Sequence, residues 1–261
     1  MAVSVVREAR VEGGFVARIT IDRAAKLNAL DRALMGEIIE AMTGLAADPT
    51  LRLAVVAGAG GRAFIGGADI DELAALDADS ARAFITAVHV CCDAFRHLPV
   101  PAIARIDGYA LGAGLELAAA CDFRIASDRS VFGMPEVRIG LPSVVEAALL
   151  PALIGPARTR ALLLTGDNIG ADEALAWGLV DRVVPAEQLD GAVETLAASI
   201  LAAGPKAIRL QKSLILDWEE MHATAAVHRG IDGFVEAFAT DEPRRMTSAA
   251  RAAMQARRKA R

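Results

Sequence analysis

Aromatic residues are scarce in this chain: one tyrosine, two tryptophans and eight phenylalanines make up 4% of 261 residues. Aromatic clusters therefore cannot dominate the core, and close packing of small aliphatic side chains must replace them. The three cysteines, Cys91, Cys92 and Cys121, make a poor disulfide framework, and no Cys/His spacing resembles a zinc site, so no metal is expected. The four histidines, His89, His97, His222 and His228, are scattered outside the glycine-rich segments, which leaves histidine-based nucleophilic catalysis without support. Positive charge is not in excess, and a formal net charge of −5 argues against a general nucleic-acid binder. No run of eighteen apolar residues is free of charge, so no membrane span is expected. Arg7, Glu8 and Arg10 interrupt the N-terminal apolar positions, so no signal peptide is expected and a cytoplasmic location is the default.

What is present is apolar: 54% of residues, against 23% charged, which fits a well-buried globular protein. The length suits one large domain, or one domain with a helical appendage. Residues 2–22 alternate around Gly13-Gly14 and predict a hairpin. Asp31 is placed to cap an amphipathic helix reaching about Ala47. Leu53–Ala57 predicts a buried strand ending in a glycine turn, and Phe64-Ile65 precedes a second, Gly66-Gly67, with a helix starting near Asp69. A helix over 80–97 follows, then a strand over Pro101–Ile106 and a turn over Gly112–Gly114 that opens another helix. Phe123–Ala126 and Ser130–Phe132 predict strands. From Pro142 onward the pattern is helical except for a strand over Leu179–Val184. Strand, glycine turn and helix in alternation mean an α/β arrangement with crossovers, and the last third is a helical appendage.

Two glutamates stand out. Glu116 ends Gly112-Ala113-Gly114-Leu115-Glu116, and Glu136 follows Gly133-Met134-Pro135, both in apolar stretches. Burial makes a carboxylate costly to ionise and raises its pKa towards the range useful for proton transfer. The glycine turns fail as a dinucleotide fingerprint, because neither Gly58-Ala59-Gly60 nor Gly112-Ala113-Gly114 is followed by glycine at the third place on, and no GxxxxGK[ST] run exists. What such turns do offer is free backbone N–H groups at a strand end and a helix start; two turns converging would make an oxyanion hole.

The strings AFIGGADI, DGYALGAGLELAAACDFRIAS, FGMPEVRIGLP and LTGDNIGADEALAWGLVDRVVP together closely resemble the enoyl-CoA hydratase/isomerase (crotonase) superfamily, in order and spacing, from about Val16 to about Met254. The resemblance implies an α/β spiral of repeated ββα units over residues 1–200 and a helical trimerisation region over 201–261. It implies an acyl-CoA thioester as substrate, with coenzyme A part of the substrate and no separate cofactor, and a homo-oligomer, a trimer or a dimer of trimers. Residue by residue, Ala68 and Ala113 match the two main-chain donors of the oxyanion hole, and Glu116 and Glu136 the two catalytic glutamates of hydratases. Lys26, Ala29, Gly67, Ala68, Asp69, Ile70 and Gly112 fall where relatives bind coenzyme A; Leu73, Tyr109, Pro135 and Leu141 fall at the acyl pocket. Both glutamates together imply a hydro-lyase acting on 2-enoyl-CoA. Isomerisation of a 3-enoyl-CoA, which needs one glutamate, and a silent or RNA-binding homologue are the rival readings.

Three departures from the family pattern bear on the site. After Glu136 relatives commonly show PEVxxGxxPGxGG, whereas here PEVRIGLPSVVEA stands, one residue shorter and without those glycines. Ser143 and Glu146 fit a capping box; otherwise Glu146 is a third acid at the pocket rim. DRAAKLNAL stands where NRPKxxNAL is common, which shifts Lys26 by one position from the phosphate-binding lysine. The tail between Arg244 and Arg261 carries seven cations and no acid or aromatic. That pattern reads as a solvated helix face, or as cations near the coenzyme A phosphates, and offers no platform for stacking single-stranded nucleic acid.

Overall fold

The computed structural model describes residues 1–10 and 14–259. The chain divides into two compact units, Met1–Ala197 and Ala198–Arg261. The first begins with the expected hairpin, β1 (Val3–Arg10) antiparallel to β2 (Gly14–Ile21), although Gly13 of its turn lies outside the described residues. Helix α1 (Arg32–Ala46) is capped by Asp31, whose carboxylate accepts from the Leu34 N–H at 2.8 Å. There follow β3 (Leu51–Gly58), β4 (Ala63–Ile65), the short α2 (Ile70–Ala74), α3 (Ala78–Arg96), β5 (Ala102–Ile106), β6 (Tyr109–Leu111) and α4 (Ala113–Ala120). After them come β7 (Phe123–Ser127), β8 (Val131–Gly133), α5 (Leu150–Thr165), β9 (Asn168–Gly170), α6 (Ala171–Trp177), β10 (Arg182–Val184) and α7 (Leu189–Leu201).

The strands sort into two sheets, ordered β1-β2-β3-β5-β7-β10 and β4-β6-β8-β9. Successive pairs β3/β4, β5/β6 and β7/β8 each give one strand to the large sheet and one to the small, so the chain advances as a spiral of ββ steps closed by helices. All large-sheet pairings after the hairpin are parallel. That explains the near-continuous apolar runs of β3 and β5, which are buried by layers on both faces. The core is built of Ile, Leu, Val, Ala and Met around Phe64, Phe84, Phe95 and Phe132, in keeping with the poverty in aromatics.

Four expectations need correction. The stretch after Pro142 holds a second strand, β9, which pairs antiparallel with β8. The strand over Leu179–Val184 is only Arg182–Val184; Leu179 and Val180 instead donate their N–H groups back to the Ala174 carbonyl, closing the end of α6 over Gly178 (φ 82°). Their burial made them look like sheet. The capping box at Ser143 does not form: the next element is a 3-10 turn, Val145–Leu149, with Val144 at its N-cap and no side-chain cap. By length and composition, Val145–Thr165 would suffice to cross a membrane (mean hydropathy 1.3), against the sequence expectation. It is no straight helix, however: a 3-10 turn opens it, and the backbone breaks at Gly155 (φ 76°) before Pro156.

The second unit holds α8 (Pro205–Glu220), α9 (Ala223–Ala237) and α10 (Glu242–Lys259). Helix α8 packs on α9, where Gly233 lets Leu214 approach closely, and Asp217 pairs with Arg229 at 2.7 Å. Glu242, nearly buried, accepts from the Lys206 and Ala207 N–H groups, which are free donors in the first turn of α8.

Candidate active site

Strands β4, β6 and β8 lie side by side and parallel in the small sheet. Their carboxyl ends therefore open onto one place, and each ends in a glycine turn: Gly66-Gly67-Ala68, Gly112-Ala113 and Gly133-Met134-Pro135-Glu136. Ligand sites in parallel sheets form outside such strand ends. The convergence expected of the two glycine turns follows from this topology. Gly112 donates its N–H to the Gly133 carbonyl at 2.9 Å, and a methyl added at Gly112 would lie 2.2 Å from Glu136 Oε1 and 3.9 Å from Gly67 Cα. Packing of α4 on β4 is just as close, since a methyl on Gly114 would strike the Ile65 carbonyl at 2.2 Å.

The direction of the two N–H groups can be deduced from their peptide units. Leu30 donates to the Gly67 carbonyl at 2.8 Å and accepts from the Asp69 N–H at 2.8 Å. A trans peptide points its N–H opposite its carbonyl, so the Ala68 N–H faces away from Leu30. The Gly112 carbonyl accepts from the Glu116 N–H at 3.0 Å along α4, so the Ala113 N–H points out of the helix start, where no intrahelical acceptor exists. Both alanines line a cavity of about 120 Å³, and Glu116 and Glu136 line it too.

Glu116 sits on the first turn of α4 and is 4% exposed. Burial, then the charge of Glu136, pushes its carboxyl up to about 8, opposed by the Ala147 N–H that donates to its Oε1 at 3.3 Å; the charge of Glu146 adds a further upward push. Glu136 is half-buried on a 3-10 turn, and the Ser143 hydroxyl donates to its Oε2 at 2.7 Å. The segment after Glu136 thus attends both acids, one by Ser143 and the other by Ala147. Glu146 is not a capping residue: its Oε1 meets His89 Nδ1 at 2.6 Å.

Of the expected coenzyme A positions, Gly67, Ala68, Ile70 and Gly112 line the cavity. Asp69 does not present a free side chain there. Its buried carboxylate caps α2 through the Asp71 and Glu72 N–H groups and pairs with Arg23 (2.7 Å) and Lys26 (3.2 Å). Burial pushes the Asp69 carboxyl up, but the bonds from Arg23, the Glu72 N–H and Lys26 outweigh it and hold the group at about 2. Lys26 reaches both Asp69 and Asp71, and the Ala29 carbonyl accepts from the Arg23 guanidinium at 2.9 Å. Of the expected acyl-pocket positions, Leu73, Pro135 and Leu141 line the cavity. Tyr109 does not: it is 40% exposed, on β6 opposite Ala63 and Val131, at the far end of the strand from Gly112.

Sequence reasoning missed Phe84 and Val88, which bring α3 to the cavity wall, and Asn28. Fully buried Asn28 adopts φ 57°, which asparagine tolerates, and its amide donates to the Ala59 and Ala63 carbonyls at 3.0 and 2.9 Å. It ties the loop carrying Lys26 to the strand that leads to Ala68. The signal was in the DRAAKLNAL string, where an asparagine stands between apolar residues.

The chain resembles known proteins along almost its whole length. The family model for enoyl-CoA hydratase/isomerase matches residues 12–258. A crotonyl-CoA hydratase of Syntrophomonas wolfei subsp. wolfei is 37% identical over 228 residues, covering 87% of this chain and 88% of that protein. A short-chain-enoyl-CoA hydratase of Clostridium acetobutylicum is 34% identical over 230 residues, 88% of each chain. The crystal structure of an enoyl-CoA hydratase from Bacillus anthracis superposes with a TM-score of 0.90 at 30% identity, covering 96% of both chains. By its motifs, its spiral of paired sheets and these likenesses, the chain belongs to the enoyl-CoA hydratase/isomerase family and has the crotonase fold.

Proposed function

We propose that the protein is an enoyl-CoA hydratase that adds water reversibly to a 2-enoyl-CoA to give the 3-hydroxyacyl-CoA. The observation that carries this reading is the pairing of two acids, Glu116 and Glu136, in one cavity with two outward-facing main-chain donors. In it the thioester carbonyl lies between the Ala68 and Ala113 N–H groups, and each donor contributes about 3 kcal/mol as negative charge develops on oxygen. In hydration Glu116 takes a proton from water as the water oxygen bonds to Cβ, and Glu136 gives a proton to Cα as the enolate collapses. Dehydration runs the same steps backwards, with Glu116 protonating the departing hydroxyl. A Glu116 carboxyl that holds its proton up to about pH 8 is the form that starts dehydration; hydration starts once that proton has passed to Glu136.

Loss of the conjugated-enoyl absorbance across a panel of 2-enoyl-CoA thioesters of increasing length tests the reading, with 3-enoyl-CoA as the isomerase control. Turnover of 3-enoyl-CoA alone would replace it by isomerisation, and no turnover of any thioester by a silent homologue. Coenzyme A is read as entering past Ile70 and the Lys26–Ala29 loop, with Lys26 exchanging Asp71 for a phosphate.

The pH dependence of stability checks the proton on Glu116. Its folded pKa lies above the ordinary carboxyl value, so the native state keeps a proton that the unfolded chain loses between about pH 4.3 and 8. The stability this gives is complete below that window and lost as pH rises through it. Glu116→Gln lacks the titration, so its Tm should rise relative to the parent between pH 5 and 9. Parallel Tm curves would show that Glu116 ionises normally.

The assembly is read as a closed homo-oligomer, a trimer or a pair of trimers. On α9 and at its C-cap, Val227, Ile231, Phe234, Val235 and Phe238 are each more than half exposed, with Phe234 and Phe238 rings 5.3 Å apart. Contiguous apolar surface of this kind is unusual on a monomer. Sedimentation at micromolar concentration is expected to give a multiple of the chain mass; a persistent monomer with coenzyme A bound would count against it.

A further inference from the structure

We propose that Glu146, braced by His89, is a positioning residue for Glu116: it fixes the turn that aims the Ala147 N–H at Glu116 and sets the negative field in which Glu116 exchanges its proton. Glu146 is 5% exposed, on the 3-10 turn that contacts both α3 and α4, and its Oε2 is buried without a hydrogen-bond partner. A buried carboxylate oxygen left unsatisfied is costly, and the fold carries that cost only if the group is held there. What holds it is His89 on α3, half-exposed, with Nδ1 at 2.6 Å from Oε1. The next residue, Ala147, shares its N–H between the Val144 carbonyl at 2.9 Å and Glu116 Oε1 at 3.3 Å.

The backbone just before Glu146 is under strain. Val145 has φ 42°, a left-handed conformation that a β-branched residue scarcely adopts. Such an outlier persists only where surrounding contacts over-determine it. The contacts around it include Ser143 to Glu136, His89 to Glu146, the Val144 and Ala147 N–H groups to Glu116, and the Ala147 N–H to the Val144 carbonyl across Val145. The strained turn is thereby tied to both reacting acids, and His89 is its link to the protein surface. The titratable groups around Glu146 are His89, Cys91 and Cys92 on α3, Glu116 on α4, and Glu136 beyond it. The thiol of Cys91 is pushed up to about 12, first by burial and then by Glu146, and that of Cys92 is raised as well, so neither supplies charge. Glu146 is then the charged neighbour of Glu116 other than its reaction partner.

This inference rests in part on the hydratase reading, so its test has a readout that needs no turnover. In protein labelled with 13C at the glutamate carboxyl, the resonance missing from Glu116→Gln reports the Glu116 titration. Glu146→Gln keeps the shape and removes the charge, and the Glu116 midpoint should fall by about 0.5 pH unit or more, as expected when a nearby like charge is removed. His89→Leu changes a half-exposed side chain and serves if Glu146→Gln does not fold. Without the imidazole the Glu146 charge is no longer shared, and the Glu116 midpoint should rise. If the hydratase reading holds, Glu146→Gln also shifts the corresponding limb of the kcat profile to lower pH, with KM for the acyl-CoA little changed, and Glu146→Asp partly restores it. A Glu116 midpoint that stays put in whichever variant folds would overturn the proposal, whatever the enzyme's substrate proves to be. A moved midpoint with no turnover of any enoyl-CoA would sink the hydratase reading alone.

Discussion

Glu116→Gln and Glu136→Gln are each expected to lower hydration by about 10²–10⁴-fold, equivalent to roughly 3–5 kcal/mol of barrier, because each removes one general acid–base group. Binding of the acyl-CoA should survive both changes. A glutamine at 116 can still accept the Ala147 N–H, and one at 136 can still accept the Ser143 hydroxyl, so the frame of the site is preserved. A fall in kcat with KM nearly constant is the signature of groups that act in the transition state. Near-normal turnover by either variant on every enoyl-CoA tested would sink the two-acid mechanism.

The second large effect is expected at Gly112. Its φ of 50° already disfavours any side chain, at a cost of about 1–3 kcal/mol, and an added methyl would stand 2.2 Å from Glu136 Oε1. In Gly112→Ala the turn has to rotate or Glu136 has to retreat; either way the Ala113 N–H and the acid lose their common focus. Loss of one oxyanion donor typically costs about 10²–10³ in kcat, and displacement of Glu136 adds to it. Gly36→Ala is the matched control. Gly36 lies in α1 with nothing within 4 Å of an added methyl, so that variant should keep full activity and gain about 0.5–1 kcal/mol of stability. Activity in Gly112→Ala close to that of Gly36→Ala would mean that the hole does not depend on this turn.

Much of this was legible in the sequence because it rests on local signals. Asp31 announces α1, the glycine pairs mark the turns after β4 and β6, and the apolar runs of β3 and β5 report a parallel sheet buried on both faces. What was not legible depends on partners distant in sequence. Tyr109 falls beside the glycine turn in the chain, yet β6 runs away from the cavity at that end. Ser143 and Glu146 have the spacing of a capping box, but Glu136 and His89 compete for them, seven and fifty-seven residues away, and win. His89 looked idle because no local pattern surrounds it, and its meaning depends on α3 crossing the 3-10 turn. Three-residue strands such as β6 and β9 carry too few positions for period-two alternation to show.

The small sheet has a consequence for how such a protein can change its chemistry. The four contributors to the site are delivered by three neighbouring strand ends: one donor after β4, the other donor and one acid after β6, the second acid after β8. The stretch 141–147 reaches this apparatus from the side, by hydrogen bonds to both acids, by Leu141, Pro142, Ser143 and Val144 in the cavity wall, and by packing of its 3-10 turn on α3 and α4. That stretch can therefore be exchanged as a cassette, retuning proton affinities and acyl fit while the two donors stay where the parallel strands leave them. Grafting the glycine-rich counterpart of a relative into this position, and the present Pro142–Ala147 into the relative, would turn that separability into a practical handle on selectivity.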